Sequence, residues 1–311
     1  MQSFSANPHD PRDHLLVLEL WGLGDVALAL PFIRAASAHA RVTLVARPHA
    51  APLVRWVAPE VDFVPLTAPW TAHRGKYRLH RWPWRELTAL LRGLRRRRFT
   101  AAVSVRPDPR DHLLLALTGA TMRVGFPRAG SSLFLTNALP PPADPHRSAA
   151  WAALAQRFNW TLPPGGQRLN DSQGAIVIHT GAAQPERRWP VARFTEIATR
   201  LRAAGRTVTV LDENSGGLDD LLAVLARAER FIGNDSGPGH VAALLGVPTF
   251  TVMGSSTGAL FHPVHPQAAW IDGAPCPHKP CRDFCRFDRP HCIQDLAFDD
   301  VWRQLEPWLA R

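Results

Sequence analysis

The chain has 311 residues, of which 46% are hydrophobic and 20% are charged. This composition excludes a disordered chain, and the length suits two ordinary domains better than a single core. The formal net charge of +10 favours phosphate-bearing partners of some kind. Nearly all of it is arginine, since Lys76 and Lys279 are the only lysines. Arginine can also accumulate through genomic base composition, so charge alone does not identify a partner.

The compartment is inferred from what the sequence lacks. Residues 1–14 contain no basic region followed by an apolar stretch, so no secretory signal is expected. The apolar run over 241–261 is broken by Gly246, Pro248 and Gly254, which predicts helix, turn, strand and loop rather than a membrane span. The cysteines all lie within 276–292, unlike those of a stapled secreted scaffold. We expect a cytoplasmic protein that touches a membrane surface.

Strand-like and helix-like segments alternate through the first half of the chain. The predicted strands are 14–20, 42–46, 61–65 and 101–105, and the predicted helices are 26–38, 49–57, 82–97 and 148–158. This alternation predicts a parallel sheet with helical crossovers.

The same alternation restarts after a segment rich in Pro, Gly and polar residues over 162–174, which reads as a linker. Its predicted strands are 175–179, 207–211, 230–232 and 249–252, and its predicted helices are 191–204, 218–227, 241–245 and 299–309. We therefore predict an α/β protein with two doubly wound Rossmann-like domains, 1–165 and 166–311, facing across a cleft. Ligands would bind at the carboxyl ends of the strands. The last helix packs on the second domain or back on the first.

A glycine turn follows the first predicted strand. Gly22, Gly24 and Ala27 match the G-x-G-x-x-A dinucleotide fingerprint, so an NAD(P)-dependent oxidoreductase is one alternative. In that alternative, the charge of Asp25 would oppose the pyrophosphate at the helix N-terminus. Arg47, after the second strand, stands where NAD binding needs an acid, although an NADP phosphate would tolerate it. Asp25 suits proton transfer better, or it only caps the helix.

A second special loop, GNDSGPGH over 233–240, joins a predicted strand to a helix. Its backbone N–H groups and the helix dipole can bind an anion. Gly237 allows close approach, while Ser236 and His240 offer polar groups to a phosphate. Asp235 fits better as an acceptor for sugar hydroxyls or for the loop's own amides. The alternative is an ordinary turn with an Asx cap.

Three segments together resemble glycosyltransferase family 9, the ADP-heptose:lipopolysaccharide heptosyltransferases. They are LLVLELWGLGDVALALPFIRA, HTGAAQPERRWPVARFTEIA and FIGNDSGPGHVAALLGVPTFTVMGSS. The resemblance implies a GT-B fold and inverting, metal-independent transfer of a heptose or related sugar from an ADP-heptose-like donor. It implies no further cofactor. The acceptor would be an anionic, lipid-linked lipopolysaccharide core at the cytoplasmic face of the inner membrane.

The resemblance also implies roles for individual residues. Asp25 would be the general base for the acceptor hydroxyl, within a turn formed with Gly22 and Gly24 in an acceptor-binding N-terminal domain. The nucleotide sugar would bind the C-terminal domain; the donor-binding residues implied are Arg187, Glu213, Asp235, Ser236, Gly237 and His240.

The chain departs from the family pattern in three places. Arg187 replaces the usual lysine, which keeps the charge but changes its geometry. Glu19 occupies a strand position that is often basic. The segment over 212–218 is shortened, which weakens the assignment of Glu213 to a ribose or base edge.

Two further features remain open at this stage. Cys276, Cys281, Cys285 and Cys292 could bind zinc as four thiolates, but the spacing lacks a C-x2-C pair, and reduced packing cysteines are the other interpretation. The basic run 92–98 is either a solvated helix face or, with Trp82 and Trp84, a membrane-contacting surface. No nucleic-acid recognition motif accompanies it.

Three functions therefore compete. The first is a heptosyltransferase-like enzyme, supported by the ordered motifs. The second is the NAD(P)-dependent oxidoreductase. The third is a non-catalytic protein of the same fold that binds a nucleotide sugar or an anionic glycolipid.

Overall fold

The computed structural model describes residues 13–72, 77–168, 174–281 and 284–311. The chain divides into two compact units, Met1–Pro163 and Pro164–Arg311. Part of the predicted linker, residues 169–173, lies outside the described residues, as do the first 12 residues, on which the expectation of no secretory signal depends.

The first unit is built on a parallel sheet. Its elements in chain order are β1 His14–Glu19, α1 Leu23–Ser37, β2 Arg41–Ala46, α2 Ala51–Val57, β3 Asp62–Pro65, α3 Trp84–Arg96, β4 Ala101–Ser104, α4 Pro109–Leu117, β5 Met122–Gly125, β6 Asn137–Ala138 and α5 Ala149–Phe158. Among the described residues the strand order is β3-β2-β1-β4-β5-β6, with every pairing parallel. This is the strand order of the doubly wound Rossmann fold, in which crossovers run in opposite directions from β1.

Strand β1 lies at the centre of this sheet because its side chains suit burial on both faces. All six residues of β1 are buried, between β2 on one side and β4 on the other. One face of the sheet packs with α3, α4 and neighbouring loops in a core that includes Leu16, Leu18, Phe99 and Leu115. Helix α1 packs with α5 through Phe32 and Trp151, whose ring centroids are 5.3 Å apart.

The second unit repeats the plan. Its elements are β7 Ala175–His179, α6 Val191–Ala203, β8 Thr207–Leu211, α7 Leu218–Leu225, β9 Ala228–Asn234, α8 Gly237–Leu244, β10 Thr249–Met253, α9 Gly258–Phe261, β11 Ala269–Asp272, α10 His291–Gln294 and α11 Phe298–Leu309. The strand order among the described residues is β11-β10-β9-β7-β8, again parallel throughout.

Helix α11 completes the core of the second unit. Val301, Leu305 and Trp308 are buried against the sheet, and the Trp308 and Phe250 ring centroids are 5.7 Å apart. The indole N–H of Trp308 donates to the carbonyl oxygen of Gln267 at 2.7 Å. The apolar stripe of α11 is thus used within this unit.

The predicted α/β class, with two units each built on a parallel sheet, is confirmed. The predicted strands 175–179 and 207–211 match β7 and β8 at both ends. Helix α1 begins earlier than predicted, at Leu23, which places Asp25 inside its first turn. Across the described ranges, no helix is both long enough and apolar enough to cross a bilayer.

Candidate functional site

The glycine turn lies at the topological switch point of the first sheet. Strand β1 has β2 on one side and β4 on the other, so the crossovers that leave from it run in opposite directions. Such a point opens a crevice at the carboxyl ends of the strands. Strand β1 ends at Glu19, and helix α1 begins at Leu23, so the turn between them borders this crevice.

Asp25 is held at this point from three directions. Its Oδ2 accepts the N–H of Gly22 at 3.1 Å, which caps α1. Its Oδ1 accepts a hydrogen bond from Arg106 Nη2 at 2.5 Å and lies 3.5 Å from Arg147 Nε. The side chain is 18% exposed, so a substrate can reach a carboxylate whose orientation is already fixed. The capping alternative is therefore correct as geometry, and it leaves the carboxylate accessible for chemistry.

Arg106 follows β4 and links two acidic groups. Its guanidinium carbon lies 4.5 Å from the centroid of the Trp21 ring, which fixes its plane through a cation–π contact. Its Nε is buried, has no hydrogen-bond partner among the described residues, and lies 4.0 Å from Glu19 Oε1.

Glu19 and Asp111 are fully buried carboxyl groups beside this arginine. Burial raises the pKa of Glu19 to about 8; Arg106 opposes this rise, while the charges of Asp25 and Asp111 add to it. Burial likewise raises the pKa of Asp111 to about 7, opposed by the hydrogen bond that Trp70 Nε1 donates to Asp111 Oδ1 at 2.7 Å. The accessible carboxylate of Asp25 thus lies near two buried carboxyl groups whose pKa values are raised.

The 233–240 loop lies at the switch point of the second sheet, between β7 and β9. Asn234, the last residue of β9, is fully buried and joins the ends of the two strands. Its Nδ2 donates to the carbonyl oxygen of Thr180 at 2.8 Å, and its Oδ1 accepts the N–H of Trp189 at 3.0 Å. This bracing fixes the start of the loop.

Helix α8 begins directly after this loop. Ser236 is its N-cap residue, Gly237 is its first residue, and His240 is buried in its first turn. The first N–H groups of α8 and the positive end of its dipole face the loop, as anion binding requires. Asp235 is 3% exposed, and its backbone N–H donates to Val252 at 3.1 Å.

Arg187 reaches the same loop from the segment after β7. Its Nη1 lies 3.8 Å from Asp235 Oδ2, and its Nε is buried with no hydrogen-bond partner within the described ranges. The segment is anchored by Trp189, a fully buried side chain whose Nε1 donates to the carbonyl oxygen of Leu296 at 2.9 Å. Gly254 permits this approach, because a Cβ there would overlap the carbonyl oxygen of Glu186.

Glu213, to which the resemblance assigns a donor ribose or base edge, forms an ion pair with Arg188. Its Oε1 lies 3.4 Å from Arg188 Nη1, and the side chain is about half exposed. A Cβ on Gly181 would come within 2.7 Å of Glu213 Oε2, so this glycine allows the two loops to approach. His179, at the end of β7, is also nearby, and burial lowers the pKa of its imidazole, which keeps the ring neutral at pH 7.

The structure brings the predicted site residues together in two groups. Gly22, Gly24 and Asp25 share the first switch point. Arg187 and the loop residues Asp235, Ser236, Gly237 and His240 share the second, with Glu213 at its rim. Sequence reasoning missed Arg106, Arg147, Asp111 and Asn234. The position of Arg106 directly after a predicted strand could have indicated it, whereas nothing in the sequence around Arg147 did.

The cysteine cluster was predicted either to bind zinc or to consist of reduced packing cysteines. In the described part of the chain, no three of its thiols and neighbouring His, Asp or Glu side chains lie close enough together to hold one ion. Cys292 is buried, with Sγ 3.7 Å from the carbonyl oxygen of Gly254, and burial raises its thiol pKa. Zinc binding by the four cysteines therefore stays a prediction, while Cys292 is buried among packed side chains.

Residues 214–289 match the family model described as glycosyltransferase family 9 (heptosyltransferase). No curated protein matches the sequence. Among solved structures, the chain resembles Escherichia coli heptosyltransferase WaaC with ADP, at 16% identity and a TM-score of 0.73, covering 95% of this chain and 99% of that one. It also resembles E. coli ADP-heptose lipopolysaccharide heptosyltransferase II, at 19% identity and a TM-score of 0.71, covering 96% and 98%.

Two further similarities widen this group. A glycosyltransferase family 9 protein from Veillonella parvula superimposes with a TM-score of 0.75 at 18% identity, covering 96% of this chain and 98% of that one. TibC, an iron-containing dodecameric glycosyltransferase of enterotoxigenic E. coli, superimposes with a TM-score of 0.56 at 15% identity, covering 96% and 76%. The resemblance noted from three motifs is thus confirmed: the chain has the fold of the heptosyltransferases and carries glycosyltransferase family 9 sequence across residues 214–289.

Proposed function

We propose that this protein is an inverting glycosyltransferase. It would move a heptose or related sugar from a nucleotide diphosphate donor to a lipopolysaccharide core acceptor. The observation that carries the proposal is the occupant of the first switch point, an oriented and accessible carboxylate, Asp25. The likeness in fold to E. coli WaaC, solved with ADP and with ADP-2-deoxy-2-fluoro heptose, supports the class of donor.

In the proposed reaction, an acceptor hydroxyl oxygen attacks the anomeric carbon from the face opposite the diphosphate. A carbon–oxygen bond forms to the acceptor, and the bond to the diphosphate oxygen breaks, with its electron pair leaving on the nucleotide. Asp25 takes the hydroxyl proton. Among the described residues, Oδ2 is bound by a backbone amide and no cation, whereas Oδ1 faces two arginines. Oδ2 is less neutralised and is therefore the proposed proton acceptor.

The departing diphosphate needs positive partners. The N-terminus of α8, with the amides of Ser236 and Gly237, supplies partial positive charge, and Arg187 supplies a full one. His240 adds a donor in the first turn. With these groups in place, we propose that transfer proceeds without a metal ion, a point to be tested by assay in the presence of a chelator.

The oxidoreductase alternative is disfavoured by one contact. In a dinucleotide-binding turn, the first amides of α1 would bind pyrophosphate. Here the N–H of Gly22 is already bonded to the protein's own Asp25 carboxylate. An anionic cofactor would have to displace that charge.

We also propose that the first unit contacts an anionic membrane surface on the cytoplasmic side. Helix α3 turns Leu94 towards the core, while its other face is exposed and carries Arg85, Arg92, Arg95 and Arg96. Trp84, 50% exposed, lies on the same helix; Trp82 instead packs with Trp70, with ring centroids 5.6 Å apart. Basic residues near an anionic leaflet gain about 1 kcal/mol each. Co-sedimentation with vesicles of anionic phospholipid, and none with phosphatidylcholine vesicles, is the expected result.

The central test uses Asp25→Asn and a matched control. Asp220 caps α7 as Asp25 caps α1, with its Oδ2 2.9 Å from the N–H of Gly217, but it is exposed. ADP release from ADP-heptose is measured with a lipopolysaccharide core that ends before its first heptose. Asp25→Asn should lower kcat by ~10²- to 10⁴-fold, whereas Asp220→Asn should leave it unchanged. Equal losses in both variants would mean that Asp25 acts only as a cap, and ADP binding without release in the wild type would favour the non-catalytic binder.

A further inference from the structure

Glu19 is a buried acid that neither takes the acceptor proton nor binds the departing diphosphate in the proposed transfer. It is 0% exposed, and its Oε1 accepts the N–H of Trp21 at 3.3 Å, while its Oε2 has no hydrogen-bond partner in the part of the chain that the structure describes. A carboxyl group in such a place costs stability, since burial of a polar group is unfavourable unless it is fully bonded. An apolar side chain would fill the end of β1 without that cost. The acid therefore needs an explanation in terms of its neighbours.

Its charged neighbour is Arg106, which stands between two carboxyl groups. Nη2 of Arg106 donates to Asp25 Oδ1 at 2.5 Å, while Nε, which has no hydrogen-bond partner in the described segments, lies 4.0 Å from Glu19 Oε1. The ring of Trp21 holds the guanidinium in this plane. A small movement of Arg106 would replace its ion pair with Asp25 by an ion pair with Glu19.

The proposed transfer changes the charge on one side of this arrangement. When Asp25 takes the acceptor proton it becomes neutral, and Arg106, only 16% exposed, loses its close anion. An unpaired cation with so little access to water is costly. Arg147 lies on the Asp25 side, 3.5 Å from Oδ1, and adds a second positive charge there.

We propose that Glu19 is a positioning residue for transfer: its carboxylate keeps Arg106 paired while Asp25 is protonated. This inference rests on the proposed function, because it presupposes that Asp25 receives a proton. Glu19 touches no substrate; it acts only through Arg106.

The direction of the resulting pH dependence follows from the groups around Glu19. Burial raises its pKa to about 8, Asp25 and Asp111 add to the rise, and Arg106 opposes it. Below that pH, Glu19 is mostly protonated and cannot form an ion pair with Arg106. Above it, Glu19 is ionised and can form this pair. The transfer rate should therefore increase as the pH rises through 8.

The experiment compares wild-type protein with Glu19→Gln, which keeps the size of the side chain and an acceptor for the Trp21 N–H. The quantity measured is kcat for ADP release from ADP-heptose with the truncated core acceptor, at pH 6.5 and pH 9. The two proteins should have nearly equal kcat at the lower pH. At the higher pH, the wild type should be faster by about tenfold, the order of effect that one neighbouring charge has on an acid or base. Glu19→Asp, which retains a carboxylate, should keep the rise with pH.

Asp111 is the control for a second titrating acid, because burial raises its pKa to about 7. The rise with pH should persist in Asp111→Asn. A Glu19→Gln protein that is slower by the same factor at both pH values, or that still shows the wild-type rise, overturns the inference and leaves the transferase intact. A wild-type protein that releases no ADP at any pH overturns the proposed function and this inference with it.

Discussion

Replacing Glu19 by Gln should stabilise the first unit at neutral and alkaline pH but not at pH 5. The side chain is fully buried, and its carboxyl pKa is raised from the ordinary 4.5 to about 8. The folded state therefore holds a proton that the unfolded chain has lost, so stability falls as the pH rises from 4.5 to 8. At about 1.36 kcal/mol for each pH unit, the loss is about 3 kcal/mol at pH 7 and approaches about 5 kcal/mol above pH 8.

The assay is hydrogen exchange in β1, measured by mass spectrometry for both proteins at each pH from 5 to 9. The difference in opening free energy at a given pH cancels the intrinsic exchange rate. Asp111 titrates in both proteins, so the difference reports Glu19. Glu306→Gln, an exposed substitution on α11, should show no pH-dependent difference. A difference between wild type and Glu19→Gln that stays constant from pH 5 to 9 would refute the reasoning, since it would mean that Arg106 keeps Glu19 ionised throughout.

Three further outcomes are expected. Asp25→Asn should retain its affinity for ADP in calorimetry, because the partners of Asp25 among the described residues, Gly22, Arg106 and Arg147, lie in the first unit; a large loss of affinity would contradict the proposal that the second unit binds the nucleotide. Gly254→Ala should lower the free energy of unfolding by ~1–3 kcal/mol through overpacking and should raise the KM for the donor by displacing Arg187, whose Cα would be 3.2 Å from the new Cβ. Gly93→Ala is its control, since a Cβ there meets nothing within 4 Å, and it should stabilise α3 by about 0.5–1 kcal/mol. Asn234→Ala should cost about 1–3 kcal/mol in urea denaturation because it removes the acceptor for a buried N–H; an unchanged midpoint would argue against the brace.

Much of the fold can be predicted because its strands are short apolar runs bounded by turn residues. Strands β7 and β8 were predicted to the residue, since each is a five-residue run rich in β-branched side chains. Helix α4 and strand β5 were missed. Pro109 and the polar residues around it resemble a loop, although Asp108 caps a helix there, and β5 has only four residues.

The candidate site could be predicted where its residues lie close together in the sequence, and was missed where the fold brings distant residues together. The turn at Asp25 and the loop at Asp235 were found because glycines, a carboxylate and a following helix occur together in the sequence. Arg106 was missed because its hydrogen bond to Asp25 joins two residues that are 81 positions apart in the sequence. Only the order of strands in the sheet, with β4 beside β1, places them together. The sequence pattern places Arg106 at the end of a strand but does not show which strand lies beside it.

The dependence of the second unit on α11 has a consequence for biosynthesis. Phe250 and Trp308 pack in one core, yet the ribosome makes the tryptophan 58 residues after the phenylalanine. During synthesis, one apolar face of this unit's sheet stays uncovered until α11 has left the ribosomal exit tunnel. The first unit, Met1–Pro163, is a compact unit whose residues are all synthesised earlier, so it can acquire its structure while synthesis continues. Nascent chains stalled before Phe298 should therefore engage chaperones through their later half.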